Sequence, residues 1–334
     1  MNHTRLHTRL LALLLCCALV LPLSACGEAK STTQQIFAMD TVMDLTAYGK
    51  KADDGINAAI SIINSMDALL DPENERSKTY EINHAMGSSV VVNEQIAKML
   101  RTAQTVSERS DGALDLTTYP LSKLWGFIDQ NYRVPSDAER LLPCVDMSKV
   151  QLSSTDDSAN SLVTMPADMS LSFGAVAKGC ASDYAIQAMR AAGVTSGVVS
   201  LGGNVQTLGK KPDGSDWNIA VQDPNDTGSY LGYLTVGETA VITSGSYQRF
   251  FTEGGRPVNN GLLSVTIVCE DGTMADCLST AMFVLGPQAA LNYWRTYGGF
   301  EMVLVKSDGH VVLTNGLYGK FTPNGDSYVV DYAS

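Results

Sequence analysis

The sequence predicts an α+β protein of layered antiparallel sheets with inserted helices. Three observations carry this. Short alternating segments recur along the chain, separated by turns instead of strict strand–helix alternation. Two long amphipathic helices come early. Two more, Met274–Leu285 and Pro287–Tyr297, lie side by side among later strands. With 334 residues, 45% of them hydrophobic and 17% charged, the chain is long and apolar enough to bury a large core.

In order along the chain, Val42–Tyr48 alternates loosely and reads as a strand. Ile56, Ala59, Ile60, Ile63, Met66, Leu69 and Leu70 then recur at helical spacing. Val90–Val92 is a short strand, and Asn93 is placed to cap a helix burying Ile96, Met99, Leu100, Ala103 and Val106. After Pro135, Ser136 and Glu139 form a capping box for a short helix. Met169, Leu171 and Phe173 alternate with serines, the pattern of a half-buried strand. Ala175–Ala192 reads as a helix stopped by Gly193. Further strands are predicted at Ile219–Val221, Leu231–Val236, Tyr247–Thr252, Leu263–Val268, Met302–Val305 and Val311–Thr314, with Pro287 suited to a helix first turn. No tandem repeat or low-complexity tract interrupts them.

The N-terminus sets the compartment. Arg5 and Arg9 precede an apolar run of 14 residues, Leu10 to Leu23, closed by Ser24-Ala25-Cys26. That is a secretory signal. The run falls short of the ~20 residues that span a bilayer. Small residues before the cysteine resemble a lipobox, which predicts cleavage after residue 25 and lipidation of Cys26; an ordinary signal with an incidental cysteine is the other reading. The organisation expected is residues 1–25 as signal peptide, 26–35 as a flexible lipid-anchored linker, and 36–334 as the functional domain in two α/β lobes. The product is a membrane-anchored lipoprotein on the extracytoplasmic face.

Charge and absent motifs narrow the chemistry. Lys and Arg number 23 against 35 Asp and Glu, a net −12. No basic cluster exists to neutralise phosphates, which excludes a nucleic-acid partner. Cys144, Cys180, Cys269 and Cys277 follow neither a zinc nor a disulfide-scaffold spacing and read as buried thiols. No Gly-x-Gly-x-x-Gly, Walker loop, His-Glu-x-x-His or Gly-x-Ser-x-Gly is present. Beyond the signal only His84 and His310 remain, both read as surface residues. Oxygen ligands and a hard cation stay open.

Four segments then stand out in order: Met39-Asp40-Thr41; Ser110-Asp111-Gly112-Ala113-Leu114-Asp115, with Pro120-Leu121 and Leu124-Trp125-Gly126-Phe127; Ser172-Phe173-Gly174-Ala175-Val176-Ala177-Lys178-Gly179, with Asp183, Gly193 and Leu201-Gly202-Gly203-Asn204; and Thr243-Ser244-Gly245, with Tyr247, Arg249 and Ala275-Asp276-Cys277-Leu278-Ser279-Thr280. Together they resemble the FAD:protein FMN transferase family, the ApbE-like enzymes, over nearly the whole chain after the signal. The resemblance implies an ApbE, T-fold-like architecture and an FMN transfer from FAD to a Ser or Thr hydroxyl of an acceptor protein, releasing AMP. It implies Mg²⁺ held by Asp276, Thr280 and the carbonyl of Ala177. It also implies flavin or phosphate contacts at Met39, Ala113, Leu114, Asp115, Gly174, Lys178 and Cys180. Cys180 stands where the family usually has tyrosine.

The same residues have readings that need no family. Asp276 and Thr280 are i and i+4 on a predicted helix, so their oxygens share a face suited to Mg²⁺; Asp276 at a helix start also reads as a cap. Met39 reads as core and Gly174 as a helix-entry turn. Lys178 fits either a phosphate contact or solvent. Gly202-Gly203 fits a close ligand approach or a tight turn, and Trp125 reads as core packing.

One departure from the family is plain. After Arg249-Phe250-Phe251, members carry His-x-Ile-Asp-Pro-x-Thr-Gly; here Thr252-Glu253-Gly254-Gly255-Arg256 runs directly into Pro257-Val258-Asn259-Asn260. The segment is missing between matching flanks. Two further functions therefore stand beside transfer: hydrolysis of FAD to FMN and AMP, and flavin binding without turnover.

Overall fold

The chain enters the fold through a hairpin, β1 (Ser31–Ala38) and β2 (Thr41–Tyr48), paired residue for residue from Ser31↔Tyr48 to Ala38↔Thr41. The computed structural model describes residues 30–136, 139, 144–245 and 260–333. The signal peptide, Cys26, the expected strand at Tyr247–Thr252 and most of the helix after Pro135 lie outside the described residues. The Ser136–Glu139 box itself is formed, with the Ser136 N–H and hydroxyl both donating to Glu139 Oε2.

Two helices follow the hairpin: α1 (Ala52–Leu70) and the short α2 (Lys78–Asn83). Then come β3 (Val90–Asn93) and α3 (Glu94–Arg109), whose N–H at Ile96 donates to the Asn93 side chain as the cap requires. A short α4 (Tyr119–Leu124), β4 (Gln151–Ser154) and β5 (Asn160–Thr164) lead to α5 (Ala177–Ala191). Strands β6 (Gly197–Leu201), β7 (Asn204–Leu208), β8 (Trp217–Gln222), β9 (Tyr230–Val236), β10 (Ala240–Gly245) and β11 (Leu262–Cys269) follow. The chain closes with α6 (Gly272–Leu285), α7 (Pro287–Tyr297), β12 (Glu301–Lys306), β13 (His310–Thr314), β14 (Phe321–Pro323) and β15 (Val329–Ala333).

Nine strands form the central sheet in the order β1-β2-β6-β7-β10-β11-β12-β13-β15, antiparallel except for β13 with β15. Alternation along its strands sends side chains to two cores. Met43, Leu45, Ile242, Met302 and Leu304 face the core shared with α1, α3, α5 and α6. Val241, Val303 and Val305 face the other side, where the sheet β14-β9-β8 packs through Trp217, Ile219, Leu234 and Phe321. A third sheet, β3-β5-β4, flanks α3. The architecture is α+β, as its alternation and helix placement predict.

Several expectations are corrected. The linker does not extend to residue 35, because Ser31–Gln35 are strand residues of β1. From Ser31 onward the chain forms one compact unit, and its central sheet draws strands from both ends of the chain. The Met169–Phe173 segment alternates in burial but joins no sheet. Its backbone is satisfied by the Asn83 amide, which bonds both the N–H and the C=O of Leu171, and by the Leu116 carbonyl. Trp125 is only half-buried. The four cysteines among the described residues are free; Cys180, Cys269 and Cys277 are buried and Cys144 is not fully so.

Candidate active site at the crossing of two helices

Helix α5 starts without a side-chain cap of its own at Val176; the Ala177 N–H donates to the Phe173 carbonyl, and the N–H groups that follow in its first turn need acceptors from elsewhere. One acceptor comes from α6: the N–H of Gly179 donates to Oδ2 of Asp276 at 2.9 Å. The help is mutual. Asp183 of α5 accepts from the N–H of Gly272 at 2.7 Å and of Thr273 at 3.0 Å, the first residues of α6. The helices can approach this closely because glycine stands at both crossing points. A Cβ at Gly179 would lie 2.1 Å from the Gly272 carbonyl oxygen.

The two carboxylates differ in what surrounds them. Asp183 also accepts from the Thr273 hydroxyl at 2.6 Å, the Gln206 amide at 3.0 Å and the Lys98 ammonium at 2.7 Å. Burial pushes its carboxyl up, but Lys98 and these donors outweigh that, and the net shift is downward. Among the described residues, the Asp276 carboxylate accepts from the Gly179 N–H and the Asn204 side-chain amide alone, the latter at 3.0 Å on Oδ1. It is 5% exposed and has no ion pair among the described residues. Burial drives its carboxyl above the usual range despite the nearby Lys178 ammonium and the two donors. A buried carboxylate this poorly compensated is suited to a cation.

The alternative role as a cap for its own helix falls elsewhere: Asp271 caps α6 by accepting from the Met274 N–H at 2.8 Å. Thr280 lies one turn beyond Asp276, half-buried, and its hydroxyl makes no hydrogen bond among the described residues. Ala177 opens α5 two residues before Gly179. Among the described residues no three His, Cys, Asp or Glu side chains gather to hold a metal. The available donor set is therefore one carboxylate, a hydroxyl and backbone oxygen, which fits Mg²⁺ with retained waters.

Two tight turns border this crossing. Gly202 and Gly203, at φ 60° and 91°, close the β6–β7 hairpin that delivers Asn204. Met39 and Asp40, at φ 48° and 58°, close β1–β2 without glycine, a strained choice for such a turn. The Met39 N–H is held by Asp67 of α1 at 2.9 Å. The turns touch: a Cβ on Gly202 would meet the Thr41 hydroxyl at 2.6 Å. Met39 is thus half-buried in a turn and packs against the edge of the main core.

The remaining candidates are placed as follows. Asp115 spends its carboxylate on the Thr117 N–H and hydroxyl and on the Met147 N–H, so it fixes a loop. Ala113 is half-buried beside it and Gly174 is exposed before α5, its N–H turned onto the Ser172 hydroxyl. The Leu114 and Cys180 side chains are 1% and 0% exposed and face the core, so it is their backbone that is available to border a ligand. Burial pushes the Cys180 thiol up to about 12. Lys178 is half-buried in the first turn of α5. Tyr247, Arg249 and the point of the missing signature lie outside the described residues. His84 stacks on Tyr80, and His310 pairs with Asp331 at 2.7 Å at the opposite edge of the sheet.

The crossing glycines, the mutual capping and the Asn204 amide were not legible as a site in the sequence. The only signal was that Asp183, Asn204 and Gly179 fall inside the motifs quoted above.

The ApbE family model matches residues 39–304. A protein of Klebsiella pneumoniae named FAD:protein FMN transferase is 28% identical over 283 residues, covering 80% of this chain and 87% of that one. One of Haemophilus influenzae with the same name is 24% identical over 343 residues, covering 94% and 98%. The crystal structure of the ApbE protein of Thermotoga maritima superposes with a TM-score of 0.78 at 27% identity, over 87% of this chain and 99% of that one. The flavin transferase ApbE of Vibrio cholerae gives 0.74 at 22% identity over 83% and 94%, a likeness of fold. The chain belongs to the ApbE family.

Proposed function

We propose that this protein transfers FMN from FAD to a Ser or Thr hydroxyl of an acceptor protein and releases AMP. The observation that carries the reading is the buried, under-compensated carboxylate of Asp276 at the start of α5, in a chain whose relatives bear the name FAD:protein FMN transferase. Asp276, Thr280 and the Ala177 carbonyl are the residues that would hold Mg²⁺. Bound there, the metal supplies neutralisation of the pyrophosphate and of the leaving AMP. The positive end of the α5 dipole and Lys178 favour the same anionic group. The acceptor's hydroxyl oxygen forms the new bond to the FMN phosphorus as the bond to the AMP phosphate breaks. The hydroxyl proton passes to solvent. The nucleophile belongs to the acceptor, so no Ser, Cys or His of this chain need attack. Met39, Ala113, Asp115 and Gly174, with the backbone at Leu114 and Cys180, are the flavin-side contacts in this reading.

We place the enzyme on the extracytoplasmic face, tethered through lipidated Cys26, where it meets its acceptor. No helix of the described residues is long and apolar enough to cross a membrane. A second reading has one observation in its favour. The missing His-x-Ile-Asp-Pro-x-Thr-Gly segment takes away a histidine, and FAD hydrolysis, or flavin binding alone, is what a disabled transfer site would retain. Incubating the full chain with FAD and Mg²⁺, with and without an acceptor protein, separates the readings. Covalently yellow acceptor marks transfer, AMP without acceptor marks hydrolysis, and unchanged bound FAD marks binding.

A further inference from the structure

Strand β7 carries two amide side chains on one face, Asn204 and Gln206, at i and i+2. Both are buried, at 3% and 6% exposure, and each addresses one of the two carboxylates that cap across the helix crossing. Gln206 donates to Asp183 Oδ1 and Asn204 to Asp276 Oδ1, both at 3.0 Å. For Asp183 the amide is one donor of five, the Lys98 ammonium among them. For Asp276 it is one donor of two. A carboxylate has about four acceptor positions. The Gly179 N–H takes one on Oδ2 and Asn204 one on Oδ1, so each oxygen keeps one for a cation, with the carboxylate's rotation fixed at both ends.

The donor is itself held rigidly. Asn204 follows a hairpin turn whose Gly202 is packed on Thr41, and it pairs in register with Leu201. We propose that Asn204 is a positioning residue for cation binding at Asp276, orienting the ligand without touching the ion, while Gln206 on the same strand face serves only the fold. This rests on the reading of Asp276 as a Mg²⁺ ligand. Hydrogen-bonding partners of metal ligands typically set affinity by about 10–100-fold.

The test is Mg²⁺ titration by calorimetry on the full chain, with metal-free melting measured on the same samples. Asn204→Ala should weaken Mg²⁺ binding by about 10–100-fold. Asn204→Leu, which fills similar space without a donor and guards against collapse of the hairpin, should weaken it as much. Gln206→Ala should lower the metal-free melting temperature and leave the Mg²⁺ dissociation constant within about twofold of wild type. If both Asn204 variants melt lower but bind Mg²⁺ like wild type, Asn204 is structural only and the inference is overturned. Unchanged Mg²⁺ binding by Asp276→Ala is a different failure: it removes the cation site itself and the inference with it.

Discussion

Asp183 and Asp276 each cap the helix of the other. Asp183, in α5, receives the Gly272 and Thr273 N–H groups of α6, and Asp276, in α6, receives the Gly179 N–H of α5. One of these carboxylates is fully neutralised by Lys98 and its other donors and belongs to the fold. The other keeps acceptor positions free in a buried place, which is the ground on which we propose it as the cation ligand.

Gly179→Ala should disturb both roles at once. The new methyl would lie 2.1 Å from the Gly272 carbonyl oxygen and 2.6 Å from the Asp276 Cβ, against backbone that cannot rotate away. We expect a loss of about 3 kcal/mol in stability, read as a lower melting temperature, together with weaker Mg²⁺ binding. Wild-type melting in the variant would mean that the helices are not held as closely as described.

Lys98→Met should leave Asp183 ionised and short of its partner. Breaking such a pair from one side costs about 3 kcal/mol at neutral pH. The sign with pH follows from the downward shift of Asp183. Its stabilising contribution is present above the unfolded carboxylate value, about 3.9, and is lost as the pH falls through the lower folded value. Denaturant unfolding of wild type and variant should therefore converge as the pH drops below about 4. A gap that stays constant from neutral pH to pH 3 would contradict the pairing.

Much of this fold could be read locally. Asn93 announced its helix because a cap needs only three residues, and Asp276 with Thr280 announced a shared face because helical spacing does so. What could not be read depends on distant chain. Gly179 and Asp276 stand 97 residues apart, and Thr273 and Asp183 stand 90 apart, so no window of sequence contains either capping pair. Residues 169–173 carry strand alternation, yet the Asn83 side chain, 88 residues from Leu171, takes the place of a neighbouring strand. Gly202-Gly203, which fits a ligand approach or a tight turn, is the turn joining β6 and β7, two strands the sequence does not predict.

Cys26→Ser should release the protein from membranes and leave its catalytic body unaltered. A lipid chain stabilises attachment through its buried methylenes, and Cys26 precedes the first strand of the sheet, β1, which starts at Ser31. Fractionation of cells expressing the variant checks this. Continued recovery in the membrane fraction would point to an uncleaved signal or a membrane-bound partner.

The missing signature makes its own prediction. Inserting the family segment between Arg256 and Pro257 should raise the rate of FMN transfer. General acid–base help contributes ~10²–10⁴-fold, which sets the scale. Steady-state transfer to an acceptor protein, with and without the insertion, is the measurement. Rapid transfer by the unmodified chain that the insertion does not improve would show that other residues fill the role.

The central claim is tested most directly by AMP release and covalent flavin on an acceptor, measured for wild type and Asp276→Ala across a Mg²⁺ titration. Wild type should yield both products, saturating with Mg²⁺, and Asp276→Ala should yield neither at any concentration while melting as a folded protein. If Asp276→Ala forms both products with the wild-type Mg²⁺ dependence, the helix crossing is not the site of the chemistry.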